Sequence, residues 1–187
     1  MRIVGGRWKG RALAAVGKGD AAAHLRPTTD RVRESLFNVL IHGDYPDLEG
    51  ARVLDLFSGT GALGFEALSR RAETACFVDN GAIAGRLIRK NIDILQCGSA
   101  VHVLQTDAAR LGRSKYAPFD MAFVDPPYGK GLGVRAIAAA IKGGWLADNA
   151  LVVLEEASEQ PLPDVDVIER RRYGDTVVHF GTVKNVH

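Results

Sequence analysis

At 187 residues and 47% hydrophobic content, the chain can bury one good core and is too short for two ordinary domains. No apolar run approaches the roughly 18 residues of a membrane span, residues 1–20 carry charges where a secretion signal has an apolar stretch, and two cysteines cannot build a disulfide framework or a metal cluster. A cytoplasmic monomer without a membrane partner is expected, with Cys76 and Cys97 reduced and structural. The net charge of +2 hides an asymmetry, because residues 1–33 hold eight basic residues against two acids while the remainder is mildly acidic. A basic arm on an acidic body suits a partner rich in phosphate, with a merely solvated tail as the alternative.

The arm is expected to span residues 1–33, ahead of a main domain at 34–187. It begins with strand-like stretches around Arg2-Ile3-Val4 and residues 10–16, followed by a glycine-rich loop at 17–23. Pro27-Thr28-Thr29-Asp30 then leads into a helical pattern with Val32, Leu36, Val39 and Leu40 on one face, capped by Thr29 or Asp30. Beyond residue 50, β-branched runs alternate with helical patterns, which signals parallel strands joined by right-handed crossovers. The strands fall near 51–57, 73–79, 100–106, 119–125 and 150–156, and the helices near 62–71, 81–96, 108–114 and 133–143. The last stretch reads as two strands around Tyr173-Gly174-Asp175. The expected fold is therefore α/β: a doubly wound, mostly parallel seven-stranded sheet with a C-terminal antiparallel hairpin and a small basic arm.

In such a sheet, ligands gather at the carboxyl ends of the strands, and here those ends are rich in acids. After the first strand comes Asp55-Leu56-Phe57-Ser58-Gly59-Thr60-Gly61-Ala62-Leu63-Gly64. Gly59, Gly61 and Gly64 satisfy the G-x-G-x-x-G pattern, so a nicotinamide-dependent oxidoreductase has to be weighed. A dinucleotide loop, however, offers bare N–H groups to a pyrophosphate, and a carboxylate beside it would repel that ligand. Asp55 suits a cation instead. S-adenosylmethionine carries an ammonium, a sulfonium and no phosphate, and Gly59 and Gly61 would let the backbone approach it closely. Asp79, closing the second strand, could accept from ribose hydroxyls, and Asp107, after the third, from an adenine amine. Phe57, Ser58, Thr60 and Ala108 complete the candidate cofactor site.

The fourth strand ends in Asp125-Pro126-Pro127-Tyr128 and should lie beside the first. An exocyclic ring amine is a poor nucleophile, because its lone pair is delocalised into the ring. If its two N–H groups donate to the Asp125 carboxylate and the Pro126 carbonyl, the amine is held and its lone pair can turn toward a methyl donor. Proline fixes φ and removes a competing N–H. Tyr128 could stack on a base drawn out of its helix. A rigid strand exit with a packed aromatic is the plainer reading of these four residues taken alone.

These motifs resemble those of class I, Rossmann-like amino-methyltransferases with the cofactor motif first. With MRIVGGRWKGR at the start, LRPTTDRVRESLFN at 25–38, Asn91 and Thr106-Asp107-Ala108, the chain resembles almost end to end the bacterial 16S rRNA (guanine-N2)-methyltransferases of RsmD type. It departs from them at Asp79, where such enzymes often carry the longer glutamate, and in an insertion-like stretch at 17–24. The resemblance implies methyl transfer from S-adenosylmethionine to the N2 amine of a guanine in 16S rRNA, within the small subunit or an assembly intermediate. Because the Asp-Pro-Pro-aromatic motif is shared with DNA adenine-N6 and protein glutamine methylases, the choice of rRNA rests on the amino-terminal motifs. Arg2, Arg7, Lys9 and Arg11 would then bind phosphates, and Arg26, Thr28, Thr29 and Arg33 would line the cleft between arm and cofactor. Trp8 could stack on a base or pack in the core.

Overall fold

In the computed structural model, residues 1–15 and 29–184 are described. The first long element is helix α1 (Asp30–His42), where Thr29 Oγ1 accepts from the Val32 amide at 3.3 Å as the N-cap. The pattern that follows is β1 (Arg52–Leu56), α2 (Ala62–Ser69), β2 (Thr74–Val78), α3 (Ala82–Leu95), β3 (Val101–Leu104), β4 (Phe119–Val124), α4 (Leu132–Lys142), β5 (Leu146–Glu156), β6 (Val165–Tyr173) and β7 (Thr176–Val183). The seven strands form one sheet in the order β3-β2-β1-β4-β5-β7-β6. The first five are parallel, and β7 runs antiparallel between β5 and β6. Among the described residues, no helix is long and apolar enough to cross a membrane.

The strands read as continuous apolar runs because helices cover both faces. Successive side chains alternate between faces, so Val53, Phe77, Met121, Phe123 and Val153 meet α1, α2 and α3, while Leu54, Val78, Ala122, Val124 and Leu154 meet α4. Three expectations are corrected. The helix expected over 108–114 is only a 3-10 turn at Ala108–Arg110. Beyond it the backbone is claimed sideways, since the Ser114 amide donates to the Gly143 carbonyl and the Trp145 indole to the Gly112 carbonyl. The strand-like stretches of the arm reduce to one antiparallel bridge, Arg2 to Ala12. And β5 begins earlier than its apolar run, with Asn149 in the left-handed region (φ 60°) and a register shift between Phe119 and Met121 on its neighbour.

The described part of the arm is docked along its length. Ile3 and Leu13 enter the core that α1, α2 and α3 build on the sheet. The Val4 and Gly5 amides donate to the Glu66 carboxylate of α2 at 3.0 and 2.8 Å, the Trp8 amide to Ser69 Oγ at 3.0 Å, and the Ala14 amide to Asn91 Oδ1 of α3 at 2.6 Å. The boundary expected after residue 33 falls inside α1.

Candidate active site

The carboxyl ends of β1, β2 and β4 converge on the loop that opens α2. Phe57 leaves β1 at φ 60°, a conformation that costs a non-glycine residue energy and persists only where the surroundings impose it. Gly61 follows at φ 78° and starts α2. Its place is fixed by crowding as well, because a Cβ there would lie 2.6 Å from the Phe65 ring. Gly64 is required for a different reason: a Cβ would sit 2.4 Å from Phe77 and 3.1 Å from Asp55 Oδ2. Without one, the Gly64 amide reaches Asp55 Oδ2 at 2.9 Å.

Asp79 performs the matching task from β2. One of its oxygens accepts from the Gly59 amide at 2.9 Å and the other from the Gly81 amide at 2.8 Å. The amides of Gly59 and Gly64, which a dinucleotide loop would present to a pyrophosphate, are thus already committed to carboxylates. That removes the basis of the oxidoreductase reading. Ser58 Oγ, buried in the same loop, has no hydrogen-bond partner among the described residues. A buried hydroxyl left unpaired costs about 1–3 kcal/mol, which marks this loop as shaped for a bound molecule.

The electrostatics specify the sign of that molecule. Burial pushes the Asp55 carboxyl up to about 8, the Gly64 amide pulls it down, and the charges of Asp125 and Asp79 push it further up. A cation placed here relieves desolvation and mutual repulsion together. An ammonium and a sulfonium fit such a site, and phosphates do not.

Asp125 stands immediately after β4, its amide 3.4 Å from the Leu56 carbonyl. Pro126 is buried and Pro127 exposed. The packing on Pro126 is close: a Cβ on Gly133, at the start of α4, would fall 3.1 Å from its ring and 2.5 Å from Leu154. Tyr128 is tied to the hairpin through a 3.2 Å contact between its hydroxyl and Thr176 Oγ1 on β7. Burial raises its phenol to about 12, with the Thr176 hydrogen bond opposing. Asp107, after β3, accepts from the Ala109 amide at 2.9 Å and pairs with Arg110 at 3.5 Å, while Ala108 is buried beside it. Thr60 is buried, and its carbonyl accepts from Asn91 at 3.0 Å.

The residues expected to bind RNA divide into two sets. Arg2, Arg7, Lys9 and Arg11 are exposed. Arg2 pairs with Asp30 at 3.3 Å, Arg7 lies 4.0 Å over the partly buried Trp8 ring, and Arg11 donates to the Ile94 carbonyl at 2.9 Å. Arg33 corrects the expectation: it is fully buried, paired with Asp30 at 3.0 Å and Glu66 at 3.4 Å, and donates to the Arg2 carbonyl. Its charge holds the arm to α1 and α2, out of reach of a phosphate. Thr29 spends its hydroxyl on the α1 cap, and Arg26 and Thr28 lie outside the described residues.

Sequence reasoning passed over Glu66, the buried acid that collects Val4, Gly5, Arg33 and Arg70, and Glu155, buried near the end of β5. A lone glutamate in an apolar run, as in Gly64-Phe65-Glu66-Ala67-Leu68, was the available signal for the first, and an acid pair closing Leu151-Val152-Val153-Leu154 for the second.

The family model described as conserved hypothetical protein 95 matches residues 1–182. The chain is similar to ribosomal RNA small subunit methyltransferase D of Escherichia coli, 41% identical over 165 residues, covering 88% of this chain and 79% of that protein. It is similar to the protein of the same name from Haemophilus influenzae, at 37% identity covering 87% and 81%. Among solved structures, a provisionally assigned methyltransferase of Escherichia coli, yhhF, superposes with a TM-score of 0.84 at 35% identity over 98% of each chain. An RNA methyltransferase of Salinibacter ruber, solved with S-adenosyl-L-homocysteine, shares the fold at a TM-score of 0.67 and 13% identity, covering 86% of this chain and 95% of that one. By its family model, its relatives and its Rossmann-like sheet, the chain belongs to the conserved hypothetical protein 95 family, the RsmD-type methyltransferases.

Proposed function

We propose that the chain transfers a methyl group from S-adenosylmethionine to the exocyclic N2 amine of a guanine in 16S rRNA, within the small ribosomal subunit or an assembly intermediate. The observation that carries the reading is the glycine loop whose amides are spent on Asp55 and Asp79, leaving an acid-lined, partly unsatisfied site beside Asp125 and Pro126. Relatives at 41% and 37% identity are named for methylation of small-subunit rRNA, and a protein of the same fold was solved with S-adenosyl-L-homocysteine.

Asp55 and the loop from Phe57 to Gly61 would hold the cofactor's cationic end, with Asp79, Asp107 and Ala108 along its nucleoside. When bound, the cofactor supplies an electrophilic methyl group on a sulfonium. The rest of the chemistry belongs to the chain. Asp125 and the Pro126 carbonyl accept the two N–H groups of the guanine amine, fix its plane, and leave its lone pair free. Asp125, as a carboxylate, can then take the proton that the methylated amine must lose. Tyr128, anchored by Thr176, offers its ring to the extruded base. Arg2, Arg7, Lys9 and Arg11 form the RNA-contacting face of the arm, contributing phosphate attraction rather than base choice.

The test is transfer of labelled methyl from S-adenosylmethionine to small ribosomal subunits lacking the modification, followed by mass spectrometry of the rRNA. Methylguanine is expected in the 16S chain, with loss of transfer and retention of S-adenosylhomocysteine binding in Asp125→Ala. Methylation of duplex DNA at adenine, with none of the ribosomal subunit, would overturn the substrate.

A further inference from the structure

Glu155 has no part in the roles above, yet it is 3% exposed and its Oε1 has no hydrogen-bond partner among the described residues. Sheet register explains where it stands. Val124 of β4 is level with Leu154 of β5, so Asp125 and Glu155 follow one residue later on adjacent parallel strands. Asp55 is level with Phe123, which is level with Val153. Because level side chains share a face and that face repeats every second residue, Asp55, Asp125 and Glu155 stand on one face of three adjacent strands.

The groups around Glu155 leave it little help. Burial and the nearby charge of Asp125 push its carboxyl up to about 8, Arg33 on α1 pulls down, and Asp55 pushes up again. Arg33 is already engaged by Asp30 and Glu66. The Tyr128 phenol faces the same acids and is itself raised. On its other flank, Glu155 is level with Val178 of β7, which is apolar and buried. Two neighbouring carboxyls do not both ionise cheaply, and the more buried one loses more hydration in doing so. Asp125 is the less buried of the two.

We propose that Glu155 is a positioning residue for methyl transfer: it holds, as a neutral acid, the proton of the Asp125–Glu155 pair, leaving Asp125 ionised to accept from the amine. The consequence for Asp125 rests on the amine-methylation reading, whereas the place of the proton does not. Ionising Glu155 would set a second negative charge behind the acceptor and shift it in the site.

Thermal midpoints of the wild type and Glu155→Gln, compared from pH 5 to pH 9, test the proton's place without reference to activity. A glutamate with a raised folded-state value contributes stability in full below its ordinary range and loses it as pH climbs to about 8. Glutamine, always neutral, loses nothing. The midpoint of Glu155→Gln relative to wild type is therefore expected to rise by several degrees between pH 5 and 8 and then level off. A difference that does not vary with pH overturns the proposal. If the variant does not fold, carbon-13 titration of the wild-type carboxyls decides, and a Glu155 midpoint in the ordinary glutamate range is equally fatal. For the reaction, kcat/KM on small subunits should fall above about pH 8 in the wild type, and Glu155→Gln should lack that limb; an unchanged limb also counts against the proposal. Absence of any transfer by the wild type would remove the functional reading and leave the stability comparison to judge Glu155.

Discussion

The molecule buries two groups of acids in opposite ways. Behind α2, Glu66 is fully buried and fully engaged: two arm amides, Arg33 and Arg70 all donate to it. At the carboxyl end of the sheet, among the described residues, Asp55 accepts from the Gly64 amide alone, Glu155 Oε1 has no donor, and the neighbouring charges are mostly of the same sign. A buried charge is tolerated where its partners are complete. An incomplete set stores a cost that a ligand can relieve. Both places hold acids that are almost fully buried, so the number and sign of the partners is what separates a structural acid from a functional one.

Four substitutions test that contrast. Asp125→Ala removes the acceptor at the reacting amine, and methyl transfer is expected to fall about 10³-fold while calorimetric binding of S-adenosylhomocysteine persists; loss of both together would make Asp125 structural. Glu66→Ala removes the carboxylate that Arg33 and Arg70 share and the acceptor of two arm amides, with an expected loss of about 3–5 kcal/mol in denaturant unfolding and faster hydrogen exchange at the Val4 and Gly5 amides. An unchanged midpoint would dissolve the contrast from its structural side. Asp55→Asn should weaken S-adenosylhomocysteine about 10- to 100-fold at neutral pH with little loss of stability. Below about pH 8 the wild-type Asp55 must give up a proton to meet an ammonium, so wild-type affinity should rise with pH toward that value. The asparagine variant should show no such rise. The smallest effect is expected from Lys9→Ala, which should lower the slope of log affinity for RNA against log salt by about one and leave folding untouched.

Much of this was legible in the chain. Parallel strands buried on both faces announce themselves as apolar runs, and the acids that close three of those runs, Asp55, Asp79 and Asp125, mark the functional rim. The roles of side chains whose partners are remote in sequence were not. Arg33 reads as one more charge of a basic arm, and only the tertiary contact with Glu66, 33 residues away, turns it into a clasp. Glu155 reads as the polar end of a strand, and its isolation depends on Asp125 being level with it on the adjacent strand. Residues 108–114 show the opposite failure, where a local helical pattern lost to hydrogen bonds offered by Gly143 and Trp145.

The docking of the arm bears on how the chain is made. Its amides depend on Glu66, Ser69 and Asn91, the last of them separated by 77 residues from Ala14. During synthesis these early residues leave the ribosome long before α3 exists to receive them, and distant contacts of this kind are slow to close. The arm is thus seated only after α2 and α3, which are translated later, have formed, and its cations acquire their fixed spacing no earlier than that.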